Sequence, residues 1–193
     1  FYRKALEEVD YFIENQFSGE NLHDDLTSTM SAKIIRSHVT EGLKLAKEYG
    51  LPTTVSDFIP MHHGTTRVEY FYRKALEEVD GDISKVDDSQ FRYPGPKPNT
   101  KETGILMICE AVEAAVKSLK NPDIMKIEAM IDKIIKARID DGQLDECPLT
   151  MDELRRIKGT VDGQTGMLPV LRGIYHIRIE YPDDPLANKI NEG

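Results

Sequence analysis

The 193-residue sequence has no tryptophan and only two cysteines, Cys109 and Cys147, which lie far apart and do not form a Cys-x-x-Cys pair. Two cysteines placed in this way favour a reducing, cytosolic compartment. The sequence also lacks a long apolar run that could cross a bilayer and a secretion signal ahead of the domain. We therefore expect a soluble, cytoplasmic polypeptide that is compatible with being cut from a larger membrane-anchored protein.

Positive charge is also scarce, since 25 lysines and arginines face 34 acidic residues and give a net charge of −9. General binding to DNA or RNA backbones needs an excess of basic residues, so we exclude it. A small nucleotide held through bound metal ions remains possible, because the ions supply positive charge locally. The length and the 39% of hydrophobic residues fit one soluble globular domain.

Alternation of apolar and polar residues, which is typical of strands, is missing throughout the sequence. Apolar residues instead recur at helical spacing, with Thr27 or Ser28 as the first N-cap and Gly50 as the first stop signal. We predict an all-α bundle with helices at residues 28–50, 52–61, 66–81, 100–119, 122–141, 150–157 and 167–181. A long irregular connection at residues 82–100 contains the string FRYPGPKPN, and a loop of this length tends to be functional or disordered.

A ten-residue string, FYRKALEEVD, occurs twice, at residues 1–10 and 71–80. The residues around the two copies are not similar, so the string is not a solenoid repeat. We interpret the first copy as a segment of doubtful origin that replaces whatever belongs before Tyr11. The predicted domain covers residues 11–182, and residues 183–193 form a polar tail.

Two adjacent histidines, His62 and His63, are followed by a glycine. Adjacent side chains on a helix point about 100° apart, so the pair suits two metal ions, or one metal ion and one substrate phosphate. His38 lies on or beside the apolar face of the first helix, and Glu110 and Glu113 share one face of a later helix. Plainer interpretations stay open, namely packed or solvated histidines and surface glutamates.

Histidine and carboxylate side chains on separate helices could converge inside a bundle, where they would suit Mn or Fe. Two such ions clamp a phosphate and convert a bridging water to hydroxide. In the proline-rich connection, Arg92, Tyr93 and Lys97 place one aromatic ring between two cations, and we predict that they contact a substrate. A rigid loop packed on the bundle is an equally open interpretation of the same residues.

Several unusual strings occur in a defined order: SHVTEG, MHHGTT, FYRKALEEV, FRYPGPKP, MICEAVEAAVKSL and DGQLDECPLT. From about Tyr11 to Tyr181 the sequence resembles the HD-domain phosphohydrolases, specifically the cytoplasmic HD domain of membrane-anchored PgpH-type phosphodiesterases. That resemblance implies a helical bundle with two Mn or Fe ions that hydrolyses cyclic di-AMP to linear pApA. It also implies that His38, His62 and His63 are metal ligands.

The sequence departs from the family pattern in two places. Glu110 stands where the family has an aspartate ligand, and the longer side chain changes the ligand geometry. The family's first histidine and its His-Asp pair precede the string YFIENQ, and that region is absent here; His23 and Asp24 follow YFIENQ and receive no catalytic role. We therefore expect one metal ion or none, and impaired activity. Two alternatives stay open: another HD-type nucleotide phosphohydrolase, or a non-catalytic helical module that binds a nucleotide or a protein.

Overall fold

The computed structural model describes residues 23, 26–119 and 122–179, and side chains up to residue 174. The first half contains α1 (Ser28–Glu48), α2 (Thr53–Ser56), α3 (Phe58–Met61), α4 (Glu69–Glu77) and two 3-10 turns, Ile83–Lys85 and Asp88–Phe91. The second half contains α5 (Lys101–Lys117), α6 (Ile124–Asp140), α7 (Met151–Lys158) and α8 (Met167–Ile179). Within the described ranges no strand forms, and the predicted all-α class is confirmed. The predictions for residues 1–10, for the tail at 183–193 and for Asp24 concern residues outside the described ranges.

Helix α1 begins and ends where the sequence predicts. The hydroxyl of Thr27 accepts a hydrogen bond from the Met30 backbone N–H at 3.3 Å, which satisfies one of the free donors of the first turn. At the other end, Gly50 adopts a φ of +64°, a conformation that glycine reaches without steric cost. Ile35 and Val39 on the inward face are buried, so the apolar spacing identified the packed face correctly.

The helix predicted at residues 52–61 is interrupted, and this part of the prediction is wrong. The chain forms two single turns, α2 and α3, separated at Asp57. Pro60 explains the break, because a proline has no N–H to donate to the carbonyl four residues earlier and its ring crowds that carbonyl.

The start of α6 is also displaced from its predicted position. Asp123, rather than Pro122, precedes the helix, and its carboxylate accepts a hydrogen bond from the Lys126 N–H at 2.8 Å.

The predicted irregular connection at residues 82–100 is more ordered than its sequence indicates. It contains both 3-10 turns, and it pairs with the segment that follows the two histidines. The Val68 N–H donates to the Phe91 carbonyl at 2.8 Å, and the Tyr93 N–H donates to the Thr66 carbonyl at 2.9 Å. This pairing produces an isolated antiparallel bridge and fixes Tyr93 next to the histidine segment.

The chain divides into two compact units, Phe1–Met107 with Ile139–Pro148 and Ile108–Arg138 with Leu149–Gly193. The first unit has a core from α1, α4 and the second 3-10 turn, with these buried side chains: Ala32, Ile35, Val39, Phe71, Tyr72, Ala75, Phe91 and Tyr93. In the second unit, Lys158 on α7 forms ion pairs with Glu128 and Asp132 on α6. Among the helices that the structure describes, none has both the length and the apolar character of a membrane span.

Candidate metal centre

Three histidines converge in the first unit. His38 comes from the middle of α1, His62 caps the C-terminal end of α3, and His63 follows it in the turn. One ring nitrogen from each histidine can be chosen such that all three lie within 4.8 Å of one another. This grouping is compact enough for the three side chains to share a metal ion.

The rings of His62 and His63 lie close together, with centroids 3.9 Å apart. The sequence-based expectation that they diverge is therefore wrong. That expectation assumed a regular helix, whereas the helix ends at His62 and the chain turns through Gly64, whose φ is +55°. Once the backbone leaves the helical path, adjacent side chains are no longer held about 100° apart.

Backbone carbonyls fix the orientation of two of the imidazoles. Nδ1 of His38 lies 2.6 Å from the Ile35 carbonyl oxygen, and Nδ1 of His62 lies 2.6 Å from the Ile59 carbonyl oxygen. A carbonyl oxygen only accepts hydrogen bonds, so each Nδ1 must carry the proton. In the neutral rings Nε2 then carries a lone pair, which is the form that binds a metal.

The two Nε2 atoms face each other at 3.3 Å. Two lone pairs at this distance repel each other unless a proton or a cation lies between them. Two nitrogens bound to one tetrahedral ion at about 2.1 Å are themselves about 3.4 Å apart. The donor set of His38 and His62 therefore fits a shared divalent ion.

His63 is the most buried of the three histidines and stacks on an aromatic ring. The ring of Tyr93 lies 4.1 Å from that of His63, with an interplanar angle of 15°. Tyr93 is itself part of the core and is 6% exposed. The stack holds the plane of the His63 imidazole, and it covers one face of the tyrosine that the sequence suggested as a substrate contact.

Comparison with known proteins shows the family of the chain. No family model matches the chain. Two curated proteins named cyclic-di-AMP phosphodiesterase PgpH are similar to it: that of Listeria monocytogenes is 46% identical over 174 residues and that of Bacillus subtilis is 42% identical over 173. Each match covers 90% of this chain and 23% of the relative, so the chain spans about a quarter of the length of these curated relatives.

Two solved structures match most of this chain and about three quarters of their own length. The HD domain of L. monocytogenes PgpH in complex with cyclic-di-AMP has a TM-score of 0.76 and 43% identity, covering 86% of this chain and 73% of that one. A second crystal structure, of the L. monocytogenes PgpH HD domain, has a TM-score of 0.75 and 44% sequence identity to this chain. The chain belongs to the family of PgpH-type HD domains. The resemblance found in the sequence strings is thus confirmed.

Arg92 and Lys97 are the two basic residues that the sequence suggested as substrate contacts. In this PgpH-type domain both lie close to carboxylates. Arg92 donates to the Thr65 carbonyl at 3.0 Å, to Asp141 at 3.2 Å and to Asp88. The hydrogen bond to Asp141 is the main cause that raises the pKa of Arg92, against the opposing effect of burial. Lys97 lies 3.9 Å from Asp145. The substrate contacts proposed for Arg92, Tyr93 and Lys97 stay predictions.

Glu110 and His23 were the other residues that the sequence singled out. Glu110 is half-buried on α5 and belongs to the second unit, and its role as a metal ligand stays a prediction. His23 is buried, with its ring 5.3 Å from that of Phe71. This position is one of packing, and the absence of a catalytic role for His23 likewise stays a prediction.

The sequence reasoning missed Gln143, which is 1% exposed and lies beside the histidine turn. Its Oε1 accepts a hydrogen bond from the Thr65 N–H at 2.9 Å, and its Nε2 donates to the Thr65 hydroxyl at 2.9 Å. A Cβ on Gly64 would lie 2.7 Å from the same Oε1, so the glycine is needed for this close approach. The one signal in the sequence was the place of Gln143 within the family string DGQLDECPLT.

Proposed function

We propose that this chain is a metal-dependent phosphodiesterase domain of the kind that hydrolyses cyclic di-AMP to linear pApA, with activity impaired by the missing N-terminal ligands and by Glu110. The observation that carries the proposal is the pair of Nε2 atoms of His38 and His62, which face each other at 3.3 Å while both Nδ1 atoms are bound to carbonyls. The relatives named as cyclic-di-AMP phosphodiesterases and the HD domain crystallised with cyclic-di-AMP support the choice of substrate.

His38, His62 and His63 would hold the ion, and the carbonyls of Ile35 and Ile59 orient two of the rings. A divalent ion bound here supplies a Lewis acid for a phosphate oxygen and hydroxide at neutral pH. The stacked Tyr93 keeps the His63 ring in a fixed plane. These contacts arrange the donors before an ion binds.

The proposed metal is Mn or Fe, because a mixed set of imidazole and carboxylate donors suits these ions. Three histidines match the number of protein ligands that a catalytic ion with an open position uses. We therefore expect about one ion per chain, held by the three histidines, with Glu110 proposed as a further ligand. For the substrate we retain Arg92, Tyr93 and Lys97 as proposed contacts with the phosphate and the base.

Titration calorimetry with cyclic di-AMP tests this function. We expect Mn-loaded protein to bind the dinucleotide, and we expect binding to disappear after chelation and in His62→Ala. The matched control is Asp152→Asn, which removes a largely exposed carboxylate of α7 and should bind like the parent. Chromatography of the same mixtures measures any pApA formed.

The proposal is abandoned if the Mn-loaded parent has no affinity for cyclic di-AMP. Equal binding of unrelated phosphodiesters and phosphomonoesters would instead favour another HD-type phosphohydrolase. Binding that survives both chelation and His63→Ala would favour a non-catalytic nucleotide-binding module.

A further inference from the structure

Four residues of the first unit form a closed circuit of hydrogen bonds next to the histidine turn. Gln143 contacts both the N–H and the hydroxyl of Thr65, and its Nε2 also donates to Asp141 Oδ2 at 2.9 Å. Asp141 in turn accepts a hydrogen bond from Arg92 at 3.2 Å, and Arg92 donates to the Thr65 carbonyl at 3.0 Å. Both backbone polar groups of Thr65 are thus held by side chains that share one aspartate.

The circuit acts on the residues that connect the histidines to the rest of the unit. Gly64 separates His63 from Thr65, and its positive φ places the chain directly against the Gln143 oxygen. On the other side of Thr65, the hydroxyl of Thr66 donates to the His63 carbonyl at 2.7 Å. The Thr66 N–H also donates to the His63 carbonyl at 3.0 Å, so the backbone from His63 to Thr66 forms a turn, and the side-chain hydrogen bonds hold that turn in place.

We propose that Gln143 is a positioning residue for His62 and His63, which acts through the backbone of Thr65. The inference rests on the proposed metal-binding function of the three histidines. The amide of Gln143 is buried, and both its oxygen and its nitrogen form hydrogen bonds in the circuit. A side chain of similar size without these groups would leave the Thr65 N–H unsatisfied. The turn would then shift to find another partner, and the donor nitrogens would shift with it.

The test compares Gln143→Leu with the parent full-length chain, using Co(II) as the probe ion. Affinity is measured by competition with a chromophoric chelator, and ligand geometry is measured from the visible absorption bands of bound Co(II). We expect affinity to fall about 10- to 100-fold, the range typical of lost outer-shell partners, and the bands to change. Helical circular dichroism verifies that the variant is folded.

The matched control is Ser28→Ala, which removes a part-buried hydrogen bond of 2.6 Å from the Ser28 hydroxyl to Glu78 in the same unit. This change should lower stability and leave Co(II) affinity within about twofold of the parent. If Gln143→Leu does not fold, the pair Thr65→Ser and Thr65→Val decides, because only serine keeps the hydroxyl that accepts from Gln143. We expect affinity near that of the parent for Thr65→Ser and a several-fold loss for Thr65→Val.

A second readout needs no metal. The imidazole ¹H–¹³C resonances of His62 and His63 should shift in the metal-free Gln143→Leu or Thr65→Val variant and stay in place in Ser28→Ala. The inference is overturned if Gln143→Leu or Thr65→Val changes neither the resonances nor the Co(II) affinity. It is also overturned if Ser28→Ala loses as much Co(II) affinity as these variants do. If the parent binds no Co(II), the proposed metal centre fails, and the resonances alone decide whether Gln143 positions the histidines.

Discussion

At the scale of single residues, His38 and His62 use the same local device. Each ring donates from Nδ1 to the carbonyl oxygen three residues earlier, at 2.6 Å in both cases. The orientation of both rings is therefore set within one helical turn, before any contact between them. The sequence suggested the two histidines as ligands, but it could not give these rotamers, because a histidine side chain has several staggered rotamers that the spacing of residues does not distinguish.

Gly64 should be intolerant of any side chain. Gly64→Ala would place a Cβ 2.7 Å from Gln143 Oε1 and 2.8 Å from Met107 Cε, at a φ of +55°. Strained backbone and overpacking together predict a loss of about 3 kcal/mol in the free energy of unfolding, measured by urea denaturation. Gly50→Ala is the control, since Gly50 has a φ of +64° with open space around it. For Gly50→Ala we expect a loss of about 1 kcal/mol in the free energy of unfolding. Equal losses at both glycines would contradict the predicted role of the close contacts at Gly64.

At the scale of elements, the segment after the histidines is held against the second 3-10 turn by charged side chains. Arg67 donates to Asp88 at 2.8 Å and also stacks over the Tyr72 ring, 3.8 Å from its centroid. Arg92 binds the other oxygen of Asp88. Asp88 thus links the two arginines of the isolated bridge and stabilises the pairing that positions Tyr93.

This link predicts a specific dependence of stability on pH. Burial by itself raises the pKa of Asp88, but hydrogen bonds from Arg67 and Arg92 outweigh it and lower that pKa. The carboxylate therefore stabilises the fold above its unfolded pKa of about 3.9, and the contribution is lost as the pH falls through the lower folded pKa. We expect Asp88→Asn to reduce the free energy of unfolding by about 1 kcal/mol at neutral pH.

The difference between Asp88→Asn and the parent should shrink below about pH 4, as measured by urea denaturation at a series of pH values. Asp152→Asn serves as the control, because its ion pair with Arg155 joins two largely exposed side chains. That control should stay close to the parent at every pH. A difference for Asp88→Asn that persists undiminished at pH 3 would contradict the predicted role of the charge.

Element prediction from the sequence succeeded where several independent signals agreed. Helix α1 has a capping threonine, a regular apolar face and a terminal glycine, and all three agree. It failed at residues 52–61, where the apolar pattern continued past the proline that interrupts the hydrogen bonds. Residues 82–100 carry no periodic pattern, and their order comes from pairing with residues distant in the sequence, which propensity cannot reveal.

At the scale of the whole molecule, the family strings indicated a helical bundle, which the structure confirms, and they indicated three histidines as metal ligands, which stays a prediction. Periodicity alone could not bring His38 next to His62, 24 residues away, because that contact depends on the packing of α1 against α3. Gln143 could not be identified either, since a glutamine in a turn resembles any solvated polar residue. Its function emerges only from the close approach of the segment at residues 139–148 to the histidine turn.

The most direct measurement is the metal content per chain after anaerobic loading with Fe(II) or Mn(II) and removal of unbound ions. We expect about one ion per chain in the parent, almost none in His38→Ala or His62→Ala, and a content like that of the parent in the control Asp152→Asn, which removes a largely exposed carboxylate. A parent that retains no ion, or a His62→Ala variant that retains as much as the parent, would contradict the assignment of the three histidines as a metal centre.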